Sequence, residues 1–489
     1  MVPADSLKIY NSLTRKKEVL KPIKKGKIGF YSCGQTIYDD LHIGHIRTYG
    51  YWDILVRYLK YLGYEVMHVQ NFTDVGHLTS DEDYGEDKIE KRAKERKMDP
   101  WELVEYYVKR YFEDMDALHI QRAEIYPRAT QHIKEMIELN KKIEKNGYTY
   151  YTEGNLYFDT QKFTKYKTLF HIKKGGEEHR VEKDSNKKNQ QDFVLWFSDE
   201  KHLMKWESPW GIGYPGWHIE CSAMSMKYLG ENFDIHGGGY DHLFIHHPNE
   251  IAQSEASGAK FANYWMHAHF LTVNGEKMSK SKGNFITARE LLAKYDWETI
   301  RMFMASSHYR KPVDFNENAI KDAQDKLDKL YETITLAEES KGGDKNGLYE
   351  EIMTFWKEYQ RAMNDDLNTA KALSELLQLS KKINTHLDNN KVMINEAITV
   401  LKQAANILGV ELNKKTKVGR VEFDGKEEVT EWRELINQVT TQNMRKLLKI
   451  RQAYRNKKDY KTSDMIRETL KEKGIIIEDY ANGTKWRIR

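Results

Sequence analysis

A chain of 489 residues is too long for a single hydrophobic core, so two to four domains are expected. Apolar residues make up 39% of the sequence, charged residues make up 31%, and the net charge is only +4, which is typical of a soluble protein rich in helix. Having only two cysteines excludes a disulfide framework. The sequence has neither a long apolar run nor an N-terminal signal pattern, which excludes membrane-spanning and secreted classes and predicts a cytoplasmic protein.

The first predicted element is a strand over 27–32, followed by a turn and by a helix that starts near Tyr51. Strand, turn and helix in this order form the phosphate-binding opening of an open α/β sheet. The turn contains His42-Ile-Gly-His45, whose two imidazoles can donate hydrogen bonds to phosphate, while Gly44 leaves room for a nucleotide beside the backbone. A motif of this kind on its own is more often a plain helix start than a site.

Further elements follow the order of an interrupted α/β sheet. A second strand over 64–71 ends at the polar stretch Phe72–His77, on the carboxyl edge where such sheets bind ligands. The region from about 118 to 206 is predicted to be an insertion that contains a polar loop at 173–191 of unassigned role. The remaining elements of this half are a charged helical segment at 81–112, a helix at 131–146, strands near 148–151 and 155–159, a glycine-rich turn entering a helix at 210–224, a strand followed by a loop at 233–242, a helix from 246, and a strand near 267–273.

The C-terminal half has a different pattern. Apolar residues at spacings of three and four predict helix throughout 288–408, and the lysine-rich segment 410–428 is predicted to be a linker. The last segment is predicted to form two short helices and a strand at 474–479. From Thr441 to Arg489 there are fourteen Lys and Arg residues against six Asp and Glu, an excess of +8 that favours a polyanionic partner, although a solvated helix face is the commoner cause.

The two cysteines belong to a possible metal site. His246 and Glu250 are four residues apart on a predicted helix and therefore project from the same face. Together with Cys33 and Cys221 they make an acceptable tetrahedral zinc set. The scattered spacing also fits two packed thiols and a helix-capping His–Glu pair, so the residues alone leave both interpretations open.

A second candidate motif is a cationic loop over 275–284. Lys277, Lys280 and Lys282 alternate with serine and methionine, which suits binding of the β and γ phosphates of a nucleotide triphosphate. Such a loop is also common as a solvated turn. Its occurrence more than two hundred residues after the His42–His45 motif makes chance a poor explanation of the pair.

This pair resembles the signature of class I aminoacyl-tRNA synthetases, and the residues around it resemble the cysteinyl-tRNA synthetase family. The resemblance covers nearly the whole chain. Its most specific motifs are Tyr31-Ser-Cys-Gly-Gln-Thr-Ile-Tyr-Asp, Pro215-Gly-Trp-His-Ile-Glu-Cys-Ser-Ala-Met, His246-His-Pro-Asn-Glu and Lys277-Met-Ser-Lys-Ser, with further matches at 70–74, 208–211, 234–241, 458–464 and 478–487.

The resemblance implies that Cys33, Cys221, His246 and Glu250 hold one Zn²⁺, which binds the thiolate of the substrate cysteine. Zinc favours a soft sulfur anion over the hydroxyl of serine, so no editing domain is needed. The residues expected near the amino acid are Cys33, Thr36 and Trp217, although a core aromatic is an equally good interpretation of Trp217.

The resemblance also implies an ATP site. The expected catalytic groups are His42, His45, Lys277 and Lys280, the histidines facing the phosphates and the lysines facing the departing pyrophosphate. ATP would further contact Gly44, Gly238, Asp241 and Lys280, and Mg²⁺ would accompany it. The cysteine carboxylate would attack the α-phosphate, and a ribose hydroxyl of the terminal adenosine of tRNA would then accept cysteine.

At the C-terminus the resemblance implies recognition of the anticodon of tRNA(Cys) by Arg455, Tyr460, Asp464 and Asp479. Stacking and edge hydrogen bonds read single-stranded bases, and these side chains suit both. Two residues depart from the family pattern: Tyr460 replaces a usual tryptophan, which keeps stacking, and Pro248 replaces a usual glutamate between two of the expected zinc ligands.

The predicted fold class is α/β, a Rossmann-like parallel-sheet nucleotide-binding domain with an insertion, followed by α-helical C-terminal domains. The predicted divisions are 1–120 and 207–275 for the two halves of the catalytic domain, 121–206 for the insertion, 276–335 for a stem-contact region with the lysine loop, 336–410 for a helical bundle, 411–430 for a linker and 431–489 for an anticodon-binding domain.

Three alternative functions fit the sequence less well than a cysteinyl-tRNA synthetase does. A cysteine ligase acting on an amino-sugar acceptor would not need a basic C-terminal domain. A methionyl-tRNA synthetase shares both signatures but not the contexts of Cys33 and Cys221. A non-enzymatic tRNA-binding relic would not be expected to keep His42, His45 and Lys280. The expected partners are therefore ATP, L-cysteine and tRNA(Cys), with the protein acting as a monomer.

Overall fold

A computed structural model describes most of the chain, in two compact units. The described residues are 7–79, 83, 85–166, 186–279, 282–339, 348–388, 395–413, 418–423, 425–437, 439, 441–480 and 483–488. The first unit falls within Met1–Ala323, Gln360–Ala372 and Ile407–Gly409, and the second within Gln324–Tyr359, Leu373–Asn406 and Val410–Arg489. In the described ranges, no helix is both long enough and apolar enough to cross a membrane.

The first unit begins with a hairpin and then forms the predicted strand–turn–helix. Its first elements are β1 (Lys8–Asn11), β2 (Lys16–Val19), β3 (Lys27–Ser32), α1 (Ile43–Tyr61) and β4 (Glu65–Gln70). Strand β3 pairs in parallel with β4, and Ile28, Phe30 and Tyr31 of β3 are buried. The predicted strand at 27–32 is confirmed, and its neighbour over 64–71 is confirmed within one residue at each end.

The segment between β4 and the return to the central sheet, which includes the insertion predicted at 121–206, contains helices and a small antiparallel sheet. Its elements are α2 (Lys88–Arg96), α3 (Pro100–Ala117), a 3₁₀ turn (Ala129–Gln131), α4 (Ile133–Lys145), β5 (Thr149–Thr152), β6 (Asn155–Phe158), β7 (Phe193–Phe197) and β8 (Tyr214–Pro215). The four strands pair in the order β5-β6-β7-β8. Asp99 caps α3 through the backbone N–H of Trp101, and Pro100 occupies the first turn, where its missing N–H costs nothing. Of the polar loop predicted at 173–191, residues 173–185 lie outside the described residues.

After the insertion the chain returns to the central sheet. The elements are α5 (Trp217–Leu229), β9 (Asn232–Gly239), α6 (His242–Ile245), α7 (His247–Ala256) and β10 (Phe261–Ala268). The sheet order is β10-β9-β3-β4, with every neighbouring pair parallel, so all four carboxyl ends share one edge. In the segment 233–242, predicted to be a strand followed by a loop, β9 extends to Gly239. A Cβ on Gly237 or Gly238 would lie 3.0 or 2.6 Å from a neighbouring ring.

The lysine loop extends from a second small sheet, which has three strands. The next elements are β11 (Leu271–Val273), β12 (Glu276–Lys277), α8 (Ala288–Lys294), α9 (Trp297–Ala305) and β13 (Val313–Phe315). Strand β13 pairs in parallel with β11, so the prediction of continuous helix over 288–408 was wrong at this point. The strand is short, and a three-residue element cannot be seen against helical periodicity on both sides.

Long helices follow, as predicted. They are α10 (Glu317–Glu339), α11 (Tyr349–Asn364), α12 (Thr369–Asp388) and α13 (Asn395–Ile407). Two buried polar contacts in the second unit fix their packing. The hydroxyls of Thr333 and Ser380 are 2.7 Å apart, and the Tyr359 hydroxyl donates to the Ala404 carbonyl at 2.8 Å. Each contact joins two different helices and gives a buried polar group the hydrogen-bond partner that it needs.

The C-terminal part of the second unit combines helices with an antiparallel sheet. Its elements are β14 (Val418–Glu422), α14 (Arg433–Asn437), α15 (Thr441–Asn456), α16 (Tyr460–Glu472), β15 (Ile475–Tyr480) and β16 (Gly483–Ile488). The strands pair in the order β14-β16-β15. The linker predicted at 411–430 is therefore corrected, because residues 418–422 form a sheet strand and Val421 packs in the same core as Trp432 and Trp486.

Candidate active site

The carboxyl ends of three parallel strands meet around Cys33. The Cys33 N–H donates to the Gly237 carbonyl at 2.9 Å, which joins β3 to β9. The Gly34 N–H donates to the Asn71 side chain at 2.9 Å, which joins β3 to the end of β4. A Cβ on Gly34 would lie 1.6 Å from the Asn71 carbonyl oxygen, so only glycine allows this approach. The turn after β3 is thereby held against both neighbouring strands.

The four side chains of the predicted zinc set come together at this edge. Their ligand atoms all lie within 4.8 Å of one another, and all four residues are buried. Cys33 Sγ is 4.0 Å from Cys221 Sγ and 3.8 Å from Glu250 Oε1, and His246 Nε2 is 3.2 Å from the same Glu250 oxygen. Ligand atoms at about 2.0–2.3 Å from a tetrahedral ion have separations of this size. The donor set and its spacing therefore fit zinc.

Two further histidines, which the sequence analysis did not single out, face the same carboxylate. Cys33, His236, His247 and Glu250 form a second group that can hold a metal ion. His247 Nε2 is 3.3 Å from Cys33 Sγ, and His236 Nε2 is 2.8 Å from Glu250 Oε2. The motifs that contain these histidines were recognised, but their local spacing did not indicate that both members of the His246–His247 pair face Glu250.

Each histidine of the pair also has a partner on its other ring nitrogen. His246 Nδ1 lies 2.8 Å from His218 Nδ1, and His247 Nδ1 lies 2.7 Å from His267 Nε2. His267 in turn contacts the Ser12 hydroxyl at 2.8 Å. Such outer contacts orient the Nε2 atom of a ligand and fix its tautomer. In both cases it is Nε2 that points towards Glu250.

Burial controls the protonation of the cluster. It raises the pKa of the Cys33 thiol and of the Glu250 carboxyl well above their ordinary values, since the charged forms lose their hydration. It also lowers the pKa of His246 and His247 well below the usual value. Burial therefore favours the uncharged form of each of these four groups. A bound divalent cation stabilises thiolate and carboxylate and accepts neutral imidazole, so this chemistry also fits a metal.

In the His42–His45 turn, the imidazole rings themselves cap the N-terminus of α1. His42 Nδ1 accepts from the backbone N–H groups of Gly44 and His45 at 3.1 and 3.3 Å, and His45 Nδ1 accepts from the His42 N–H at 3.3 Å. The two rings stack with their centroids 3.6 Å apart. Because both Nδ1 atoms accept, both rings carry their proton on Nε2, which leaves an N–H donor beside a helix N-terminus. Burial lowers the pKa of His45, which keeps it neutral.

The structure brings this turn next to the lysine loop. The Ile43 N–H donates to the Ile286 carbonyl at 3.0 Å, and the Ala288 N–H donates to the Leu41 carbonyl at 2.7 Å. The Phe285 ring meets the His42 ring edge-on at 5.2 Å. Lys277 ends β12 on the other side of the loop. Lys280 lies outside the described residues.

The remaining predicted residues of the catalytic half lie at the same edge. A Cβ on Gly238 would lie 2.6 Å from the His247 ring, and Asp241 directly precedes α6. Trp217 begins α5 and stacks on His246 with ring centroids 4.3 Å apart. The Thr36 hydroxyl contacts Nδ1 of His77.

In the terminal domain the four predicted anticodon residues have different surroundings. Asp479 bonds to Arg451 at 2.7 and 2.9 Å, to Arg455 at 2.5 Å and to Arg467 at 2.7 Å. Partial burial alone would raise the pKa of Asp479, but hydrogen bonds from Arg451 and Thr484 and the charges of Arg451 and Arg455 hold it well below its usual range. Tyr460, 58% exposed, and the exposed Asp464 lie one turn apart at the start of α16.

Three family descriptions match the chain. Residues 19–325 match the tRNA synthetases class I (C) catalytic domain, residues 358–413 match the DALR domain, and residues 440–487 match the cysteinyl-tRNA ligase anticodon binding domain. Among solved structures, a methionyl-tRNA synthetase of Mycobacterium tuberculosis in complex with methionyl-adenylate has a TM-score of 0.59 at 14% identity, covering 79% of this chain and 90% of that one. The fold and the edge-of-sheet site thus define a class I aminoacyl-tRNA synthetase.

Relatives with assigned names show which family within this class the chain resembles. A cysteine–tRNA ligase of Chlorobaculum tepidum is 43% identical, covering 98% of this chain and 99% of its own. One of Thermococcus gammatolerans is also 43% identical, covering 99% of both chains. The chain belongs to the cysteine–tRNA ligase family. The resemblance to this family that the motifs indicated is confirmed.

Proposed function

We propose that this chain activates L-cysteine with ATP to cysteinyl adenylate and transfers the cysteine to the 3′ terminal adenosine of tRNA(Cys). The observation that carries the proposal is the position of the Cys33, Cys221, His246 and Glu250 cluster. It lies on the same sheet edge as the His42–His45 turn, so a sulfur-binding group and a phosphate-binding group face one space. A zinc ion at this cluster would bind the sulfur of cysteine and reject the hydroxyl of serine.

The residues around the cluster position the amino acid. Cys33 belongs to the cluster, Trp217 stacks on its member His246, and Thr36 lies in the same turn as Cys33. No protein nucleophile is needed, because the carboxylate of the substrate attacks the α-phosphate in line. The protein therefore contributes orientation and charge stabilisation only.

The phosphates of ATP lie against the His42–His45 turn in this proposal. The Nε2–H groups of His42 and His45 donate to phosphate oxygens, and Gly44 leaves the backbone accessible. Lys277 and Lys280 neutralise the departing pyrophosphate, with Mg²⁺ accompanying ATP. Gly238 and Asp241 contact the ribose. The hydrogen bonds from 41–43 to 286–288 support this arrangement, since they anchor the C-terminal end of the lysine loop beside the histidines.

The C-terminal domain reads the anticodon of tRNA(Cys) in this proposal. Tyr460 offers an exposed ring for stacking and Asp464 a carboxylate one turn away, while Arg455 and Asp479 form an ion pair with each other. The domain boundaries, the monomeric state and the cytoplasmic location stay predictions from the sequence.

The deciding experiment is pyrophosphate exchange with purified full-length protein. L-cysteine should drive exchange, whereas serine and methionine should not. Absence of exchange with cysteine would overturn the proposal, and exchange driven by methionine would favour a methionyl-tRNA synthetase. Aminoacylation of tRNA(Cys) with the same preparation then separates a tRNA ligase from a ligase that uses a small acceptor.

A metal analysis of two matched variants separates the two ligand groups. His246→Ala should remove zinc if the predicted set is correct, while His247→Ala should leave the zinc content near one per chain. The reverse result would assign the ion to the group that contains His236 and His247. Zinc content measured by elemental analysis gives this answer independently of activity.

A further inference from the structure

The middle member of a hydrogen-bonded chain of three side chains stacks on Trp217. The Thr36 hydroxyl contacts His77 Nδ1, and His77 Nε2 is 2.9 Å from the Lys88 ammonium. The His77 ring stacks on Trp217 with centroids 4.1 Å apart and planes 14° apart. His77 is buried, and none of the site assignments made above gives it or Lys88 a role.

The backbone fixes the two ends of this chain against each other. The Lys88 N–H donates to the His77 carbonyl at 3.0 Å. Asp87 caps α2 through the N–H groups of Ile89 and Glu90, and its second oxygen accepts the Gly76 N–H at 2.8 Å. Gly76 has a φ of +72°, and a Cβ there would lie 2.6 Å from the Pro215 carbonyl. The position of His77 is therefore set by its neighbours on both sides.

The direction of the hydrogen bonds follows from donor chemistry. A lysine ammonium only donates, so His77 Nε2 must accept from it. The neutral ring then carries its proton on Nδ1, and this N–H donates to the Thr36 oxygen. The hydrogen of the Thr36 hydroxyl is left to donate onward. A chain that starts at a cation and ends at a donor is suited to an anionic acceptor.

In the proposed function, the amino acid offers one anionic group besides its sulfur. Thr36 follows Cys33 by three residues in one turn, and Trp217 stacks on both His77 and the predicted ligand His246. The amino group of cysteine is itself a donor and cannot accept from Thr36. The phosphates of ATP are assigned to the turn that starts α1. The carboxylate of the substrate is the group left for Thr36.

We infer that His77 and Lys88 are positioning residues for the substrate carboxylate, holding the Thr36 hydroxyl as a donor to it. The inference rests on the proposed activation of cysteine, and it assigns a function to the start of α2. Lys88 fixes the tautomer of His77, His77 orients Thr36, and Thr36 orients the carboxylate that attacks the α-phosphate.

The test compares two ligands that differ only in the carboxylate. Binding of L-cysteine and of cysteamine, which keeps the thiol and the amine, is measured by calorimetry on full-length wild type and variants. His77→Phe keeps a ring on Trp217 but removes both ring nitrogens, and should weaken L-cysteine about 10-fold while changing cysteamine less than about twofold. His77→Asn keeps a donor near the position of Nδ1 and should restore L-cysteine to within about threefold of wild type.

Lysine variants on α2 supply the matched control. Lys88→Met should weaken L-cysteine selectively, whereas Lys91→Met, on an exposed position of the same helix, should change neither ligand. Equal losses of both ligands in His77→Phe would mean that the ring only packs against Trp217, and would overturn the inference. Unchanged L-cysteine binding in His77→Phe and Lys88→Met would overturn it too. If wild type itself fails to exchange with cysteine, the proposed function has failed instead.

Discussion

The molecule contains two clusters of ionisable side chains that are built in opposite ways. At the edge of the central sheet, burial raises the pKa of Cys33 and Glu250 and lowers the pKa of His246 and His247, which favours the uncharged form of each of these groups. In the terminal domain, three arginines surround Asp479 and hold its pKa well below the usual range. The groups of the first cluster are shifted towards their uncharged forms, whereas the carboxyl group of the second is held as a carboxylate by arginines.

This difference shows what each cluster is prepared for. A set of desolvated thiol, imidazole and carboxyl groups gains most from a divalent cation, because the ion takes the place of the protons. A carboxylate already held by three guanidinium groups gains little from another partner, and its strongest effect is on the fold around it. The surface available for a base in the terminal domain is accordingly the exposed start of α16.

The largest expected effect is at the first cluster. Cys221→Ser should raise the KM for cysteine in pyrophosphate exchange by more than about 100-fold. Loss of a residue that only contacts a metal ligand costs up to about 100-fold, and loss of a ligand itself should cost more. The KM for ATP should change little, because the His42–His45 turn is intact. Equal increases for both substrates would show that the ion is structural, and the contrast between the clusters would then lose its functional meaning.

The signature turn should give the next largest effect and separate catalysis from capping. His42→Ala should lower kcat for exchange about 100-fold through loss of a donor to phosphate. It should also lower the free energy of unfolding by about 1 kcal/mol, because the ring caps α1. His42→Asn keeps a capping acceptor, so its kcat should fall while its free energy of unfolding, measured by chemical denaturation, should stay that of wild type. A kcat near wild type in both variants would contradict the phosphate role.

A smaller effect is expected at the exposed start of α16. Tyr460→Ala should lower kcat/KM for aminoacylation roughly 10-fold, since a stacked base contributes about 1–3 kcal/mol. Exchange, which needs no tRNA, should be unchanged. Tyr460→Trp keeps the stacking ring and serves as the control. An aminoacylation rate in Tyr460→Ala equal to wild type would place base reading elsewhere in the domain.

The smallest effect tests the second cluster through pH. The folded-state pKa of Asp479 is depressed, so its stabilisation is present above the unfolded value of about 3.9 and is lost as the pH falls towards the folded value. Asp479→Asn should cost about 1–2 kcal/mol of stability at pH 7. The difference between variant and wild type, followed by urea unfolding, should shrink below about pH 4. A difference independent of pH would mean that the ion pairs contribute nothing to stability.

Much of the central sheet could be predicted from its residues. The strand at 27–32, the helix after the histidine turn and the long helices beyond 316 have periodic patterns that local spacing controls. Three features could not be predicted this way. The end of β9 falls in the glycine run 237–239, which has no side chains to show where strand gives way to loop. Strand β13 is only three residues long, and β14 was hidden in a lysine-rich segment because its partner is more than sixty residues away.

The sequence by itself determined which residue types carry the chemistry, because thiols, imidazoles and carboxylates at motif spacing are local information. The set Cys33, Cys221, His246 and Glu250 was expected only through the family resemblance, because the spacing of these residues also fits packed thiols and a helix cap. Only the tertiary structure decided that they meet, and that His236 and His247 meet the same carboxylate, because parallel pairing brings distant strand ends to one edge. The chain from Lys88 through His77 to Thr36 likewise depends on hydrogen bonds between residues up to 41 positions apart.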